Sequence, residues 1–324
     1  MRILLASPHR YPAFGRAGSG LHPRAYPSGS GYHLHDLLAQ GLAEEGNEVL
    51  YFVEKGAELP MPFGVTQVSS ITPDVDIIHA PISPPGFAEK KLAFAATHGI
   101  PCLLTCHMLE HEKPLGSNWV FVSRSLAQAY GSSRFVVNGI NPDDFIFSET
   151  KHDYLLFLCA MNRAADKGLD LALQLSQSAG FHLVVAGTGL NYDTIRQVSE
   201  LCADAGAEYV GDVRGSQKAE LIAGARALLF PSRLKEGCPL TILEALVSGT
   251  PVISSRSCGT EEVLAPDAGI LCDREEDWRA ALDRIGKISP ARCREIVLEK
   301  YHYRRMANDY LREYRLEINR FSTL

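Results

Sequence analysis

Apolar residues gather along the first half of the chain in short unbroken runs, at 3–7, 49–53, 77–80, 102–106 and 119–122. Runs that are apolar throughout, instead of alternating with polar residues, belong to strands covered on both faces in a parallel sheet. Between the first two runs, Leu34, Leu37, Leu38, Gly41 and Leu42 recur at helical spacing, with Ser30 placed as N-cap and Gly46 as the residue past the helix end. Strand, helix and strand make a βαβ unit. The pattern restarts after "VVNGINPDDF", with strands expected at 155–159, 183–186, 208–210, 227–230 and 252–254, and helices around 169–179 and 195–202. The chain therefore reads as α/β, two doubly wound Rossmann-like domains joined near residues 139–150, where Gly139, Pro142 and two aspartates break the pattern. The expected division is 1–146 and 147–324. A basic, aromatic helical stretch from residue 290 onward is expected to pack back on the N-terminal domain.

Length agrees, since 324 residues suits two domains of about 150 each. Composition then narrows the class. The net charge is −6, split as 10 Lys+Arg against 13 Asp+Glu before residue 147 and 22 against 25 after it, about −3 in each half. Neither half has the charge of a nucleic-acid binder. Eight cysteines without a C-x-x-C pair sit mostly inside apolar runs, as reduced thiols of a cytoplasmic protein do, and Cys102 and Cys106 read as core. The N-terminal apolar run reaches Pro8-His9-Arg10 too soon for a signal peptide or a membrane span. A soluble protein is expected.

The strongest chemical signal is "KEGCPLTILEALVSGTPVI" at 235–253. Glu244 falls on the apolar stripe of a short helix beside Leu240, Leu243 and Val247, and Glu236 lies eight residues earlier in a Gly- and Pro-containing loop. Pro239 suits the first helical position and Gly249 the position past the end, so the amides of Leu240 and Thr241 face outward beside Gly237 and Cys238. Such a helix start binds anions, phosphate above all. With phosphate there, both carboxylates become acceptors for neutral hydroxyls of the same ligand. A nucleotide sugar offers ribose on one side of its diphosphate and hexose on the other. The competing reading makes Glu244 an intra-protein ion pair and Glu236 a solvated loop acid.

These residues resemble the E-x7-E signature of the retaining GT-B glycosyltransferases of family 4, and the resemblance runs along nearly the whole chain. "GSGYHLHDLLAQGLAEEGNEVLYF" is similar to the family's Gly-rich loop and first helix, "VDIIHAP" to the strand before its acceptor region, and "VVNGINPDDF" to its hinge. "DKGLDLAL", "LVVAGTG" and "YVGDV" follow in the family's order. The resemblance implies two domains facing across a cleft, with a nucleoside-diphosphate sugar, UDP- or GDP-linked, bound by the second. It implies transfer to an acceptor hydroxyl with retention, by same-face substitution and without a metal or other cofactor. Glu236 would orient the donor sugar, Glu244 would bind the ribose, and Lys167 and Arg163 would hold the diphosphate. The family shows Gly-Arg some five residues before the lysine, whereas this chain reads Ala160-Met161-Asn162-Arg163, which makes Lys167 the firmer of the two. His107 would contact the donor sugar. The segment Gly211–Arg214, with Val213 and Arg214, would read the base. Gly29 and Gly31 flank Ser30 ahead of the first helix, where the absence of side chains either lets backbone approach the ligand or makes only a flexible turn.

Rival patterns are weaker. His107–His111 matches the inverted zinc-protease motif H-x-x-E-H, but it follows a strand and Pro114 is too close to allow the helix that motif needs. Tyr192 occupies the third glycine position of G-x-G-x-x-G in "AGTGLNY", and Asp74-Val-Asp76 precedes a strand as turn residues do. A non-catalytic nucleotide-sugar-binding protein and a nucleotide-sugar epimerase on the same fold are the alternatives. The N-terminal half lacks a basic or amphipathic docking face, so the acceptor is expected to be a soluble sugar, glycan or small molecule.

Overall fold

The computed structural model describes residues 1–8, 30–53, 61, 63–109, 116–189 and 191–323. The chain divides into two compact units, residues 1–140 with 301–324, and residues 141–300.

The first unit carries six parallel strands: β1 (Arg2–Ser7), β2 (Glu48–Val53), β3 (Thr66–Val68), β4 (Ile77–Pro81), β5 (Cys102–Cys106) and β6 (Trp119–Phe121), in the order β3-β2-β1-β4-β5-β6. Helices α1 (Ser30–Glu44), α2 (Phe87–His98) and α3 (Arg124–Ala129) provide crossovers. Ile3, Leu4, Leu5, Ile77, Ile78 and Leu103 are fully buried, because a parallel strand with helices on both faces has no wet side. Helix α1 starts at Ser30 itself, one residue earlier than a Ser30 cap would give.

The second unit repeats the scheme with β7 (Leu155–Leu158), β8 (Leu183–Ala186), β9 (Glu208–Gly211), β10 (Ala227–Phe230), β11 (Val252–Ser255) and β12 (Gly269–Cys272), ordered β9-β8-β7-β10-β11-β12. Its helices are α4 (Leu169–Ala179), α5 (Tyr192–Asp204), α6 (Gly215–Gly224), α7 (Leu240–Val247), α8 (Cys258–Val263), α9 (Glu275–Arg284) and α10 (Pro290–Lys300). Counted within its own domain, each sheet has strand order 3-2-1-4-5-6, so the winding reverses between β1 and β4 and again between β7 and β10. Ligands of open α/β sheets bind at the carboxyl ends of the strands flanking such a reversal.

The border between the units lies at 140/141, six residues ahead of the division read from sequence, and the last helix, α11 (Tyr303–Ser322), belongs to the first unit. Hydrogen bonds explain the return. Ile140 N donates to Tyr301 O and Tyr303 N to Ile140 O, at 2.8 and 3.0 Å, so the chain re-enters beside the residue where it left. Arg304 Nε then reaches Glu44 Oε2 of α1 at 2.7 Å, and Arg134 binds Glu313 and Glu317 of α11 at 2.8 Å each. Under α11, His79 sits between Tyr314 Oη at 2.7 Å and Thr105 Oγ1 at 2.6 Å. Burial, with a smaller contribution from the neighbouring His107, holds the His79 imidazole down to about 3, so it is neutral. No helix among the described residues is long and apolar enough to cross a membrane.

Candidate functional site

The reversal between β7 and β10 places two loops side by side, 159–168 after β7 and 231–239 after β10. Gly168 lets them touch. Its φ of 79° is a conformation L side chains rarely adopt, and a Cβ there would collide with the carbonyl oxygen of Pro231. Arg233 ties the loops from the other side: its backbone N donates to Asp166 O at 2.8 Å and its guanidinium makes two 2.8 Å bonds to Asp170. That fork, ahead of a smaller desolvation effect, holds the Asp170 carboxyl below its ordinary range.

This junction brings Lys167 and Glu236 together across 69 positions of sequence. Lys167 Nζ lies 2.5 Å from Glu236 Oε1, and Ser232 Oγ donates to the same oxygen at 2.6 Å. The lysine's stem runs by the Phe230 ring, with Nζ 5.4 Å from the ring centre. The pair is largely shielded, with side chains 23 % and 14 % exposed. Gly259 at the start of α8 donates its N–H to Glu236 O at 2.9 Å, and a Cβ there would strike the carbonyls of Glu236 and Gly237. The Glu236 loop is thus braced on both sides. Cys159, at the end of β7, is no thiolate: burial pushes it up to about 12 despite the Lys167 charge nearby.

Helix α7 starts at Leu240, with Pro239 as N-cap instead of first helical residue, and no side chain caps it. Its first amides, those of Leu240 and Thr241 included, have no intrahelical acceptor and carry the positive end of the helix dipole. Gly237, Cys238 and Pro239 line the approach and are buried. At the far end Gly249, with φ 75°, stops the helix as its sequence position predicts. Glu244 is 4 % exposed in the middle of α7. Its two oxygens each lie 2.9 Å from Nζ of Lys218 on α6. The intra-protein ion pair weighed at the level of sequence is therefore present. Lys218 itself was not foreseen, because a single lysine in a polar helix carries no signal and its partner is 26 residues away.

The remaining predicted residues are placed as follows. Arg163 lies in a single helical turn, Met161–Arg163, with Nε 2.8 Å from Asp166 Oδ2 and Lys167 N bonded to its carbonyl at 2.9 Å. Val213 is buried after β9, and Arg214 is the residue preceding α6, its Nε 2.5 Å from Asp212 Oδ2. His107 directly follows β5 of the first unit, its ring centre 6.0 Å from that of His35 in an edge-to-face arrangement. Ser30 and Gly31 form the first turn of α1, while Gly29 and residues 110–111 of the H-x-x-E-H match lie outside the described residues.

Comparison with known proteins defines the class first. Residues 142–301, which are essentially the second unit, match the family described as glycosyl transferases group 1. That match supports a transferase enzyme, and the two doubly wound domains have the GT-B fold. Among solved structures, the chain is similar over nearly its full length to AviGT4, a glycosyltransferase involved in avilamycin A biosynthesis, at 21 % identity, 98 % of each chain covered and TM-score 0.72. It is also similar to sucrose-phosphate synthase from Thermosynechococcus elongatus, at 16 % identity, 98 % and 99 % coverage and TM-score 0.74. HepE from Anabaena, solved in complex with UDP-glucose, shares 11 % identity over the whole of both chains, with TM-score 0.69. No curated protein sequence matches the chain.

Proposed function

We propose that the protein is a retaining glycosyltransferase of the family 4 kind. It moves a sugar from a nucleoside-diphosphate sugar, UDP- or GDP-linked, to the hydroxyl of a soluble sugar, glycan or small-molecule acceptor. The observation that carries this reading is the meeting of Lys167 and Glu236 at the switch point of the second sheet, beside the uncapped start of α7. A diphosphate lying against the amides of Leu240 and Thr241 has the Lys167 ammonium within reach on one side and Glu244 on the other. Arg163 shares the phosphate charge, and Val213 and Arg214 border the base. The UDP and UDP-glucose complexes of HepE support a donor of this class.

In the reaction the anomeric carbon–phosphate oxygen bond breaks, and the acceptor oxygen bonds to that carbon on the same face. The acceptor proton passes to the departing phosphate, so no enzyme nucleophile and no metal takes part. Lys167 and the helix amides stabilise the charge that develops on the diphosphate, which is where fixed dipoles lower a barrier most. Glu236, already bonded to Lys167 and Ser232, accepts hydrogen bonds from hydroxyls of the donor sugar and fixes its ring for attack.

A thermal-shift panel of UDP, GDP, ADP and dTDP sugars identifies the donor, because a ligand of the native state raises the melting temperature. Wild type incubated with that donor and a set of acceptors then forms glycosylated product, and Glu236→Gln forms at least about a hundredfold less, the order lost when one transition-state contact is removed. Equal turnover by the two proteins sinks the assignment. Interconversion of the donor sugar with no acceptor present identifies an epimerase instead.

A further inference from the structure

The two groups that hold Glu236 differ in how firmly they are themselves held. Lys167 Nζ and Ser232 Oγ both reach Oε1, at 2.5 and 2.6 Å, which occupies the two lone pairs of that oxygen. Among the described residues no hydrogen bond falls on Oε2. Lys167 carries three donors on a flexible stem and spends one of them on Glu236. Ser232 is 4 % exposed, and its hydroxyl is a single proton on a short rotor. The hydroxyl oxygen accepts the Leu234 N–H at 3.3 Å, and the Ser232 carbonyl oxygen accepts the Ser255 hydroxyl. The Ser232 proton is therefore aimed at Glu236. A diphosphate competes for the lysine, since phosphate oxygens form charge-assisted bonds with an ammonium. The serine has no second anion to turn to.

We propose that Ser232 is a positioning residue that holds Glu236 by Oε1 while Lys167 turns to the diphosphate, leaving Oε2 for a hydroxyl of the donor sugar. The inference rests on the nucleotide-sugar reading of the second unit. Were Lys167 to stay on Glu236 throughout the reaction, the serine would be a redundant contact and its loss would show only when the lysine was also absent.

The test compares wild type, Ser232→Ala, Ser232→Thr, Lys167→Met and the Ser232→Ala/Lys167→Met double variant, each first checked by thermal melting. Calorimetry gives the affinity for UDP and GDP, and steady-state transfer from the donor that wild type uses gives kcat. Ser232→Ala is expected to bind the nucleoside diphosphate within about twofold of wild type while kcat falls at least about tenfold, as for one hydrogen bond to a charged group. Ser232→Thr keeps the hydroxyl and stays within about threefold of the wild-type kcat. Ser232→Cys, with nearly the same volume and only a weak S–H donor, shows the alanine split and serves if Ser232→Ala does not fold. In the Lys167→Met background the serine change costs the same factor as in wild type, because the ammonium has already left Glu236 in the wild-type complex. A loss below about threefold in wild type that reaches about tenfold in Lys167→Met shows the ammonium staying on Glu236 and overturns the proposal. Parallel losses of kcat and nucleotide affinity, which a merely structural serine would give, overturn it too. Active wild type matched by Ser232→Ala defeats this inference alone, whereas wild type that binds neither nucleotide and transfers no sugar defeats the nucleotide-sugar reading with it.

Discussion

The Lys167–Glu236 pair makes a prediction in which the two partners behave oppositely. Lys167→Met keeps the stem against Phe230 and removes the charge. Glu236 then retains the Ser232 hydroxyl at 2.6 Å but loses its 2.5 Å ammonium. Breaking a buried pair costs about 3–5 kcal/mol and a surface pair about 0–1, and exposures of 14 % and 23 % fall between, which gives about 2 kcal/mol. For a unit of this size that lowers the melting midpoint by roughly 4–8 °C. The same ammonium contributes about 1.5–3 kcal/mol to a bound diphosphate, so UDP or GDP binds about 10- to 150-fold more weakly. Glu236→Gln does the reverse for the bare nucleotide: it releases Lys167 from a competing anion and tightens UDP about two- to fivefold, while transfer collapses. Isothermal calorimetry with the nucleoside diphosphate reads both. Lys167→Met binding like wild type refutes the phosphate role, and Glu236→Gln weakening the bare nucleotide tenfold refutes the idea that its carboxylate faces the sugar.

Three further outcomes follow from other parts of the molecule. Gly168→Ala forces a Cβ against Pro231 at φ 79° and is expected to cost about 1–3 kcal/mol by denaturant titration; because the strain parts the Lys167 and Glu236 loops, kcat falls more than stability alone explains, and a fully active, fully stable variant contradicts this. His79 is held neutral to about pH 3, whereas the unfolded chain protonates it near 6.5, so its stabilisation is complete above pH 6.5 and drains away as pH falls toward 3. Wild type should lose about 2 kcal/mol more than His79→Gln between pH 7 and 5 in urea melts, and parallel losses would show that His79 is not the titrating group. Proton NMR of the first-formed product should show the donor's anomeric configuration; an inverted product excludes same-face substitution.

The central strands were legible because burial on both faces leaves apolar runs with no polar interruptions, as at β1, β4, β7 and β10. Strand β3 escaped for the matching reason: its three residues, Thr66–Val68, are partly exposed at a sheet edge, too short and too mixed to register. The domain border was misplaced because the return of the chain is written in backbone hydrogen bonds between residues 140 and 301–303, which no local pattern encodes. Within the site, the spacing of Glu236 and Glu244 on either side of the helix start at Pro239 was visible. Their lysine partners were legible unequally. Lys167 stood out through a resemblance, while Lys218 needed the fold to bring α6 beside α7.

The most direct test is a crystal structure of the protein with UDP or GDP bound. The account predicts phosphate oxygens within hydrogen-bond distance of Lys167 Nζ and of the Leu240 and Thr241 amides, with the ribose hydroxyls on Glu244. A nucleotide bound elsewhere, with Lys167 still on Glu236 and Glu244 contacting only Lys218, contradicts it.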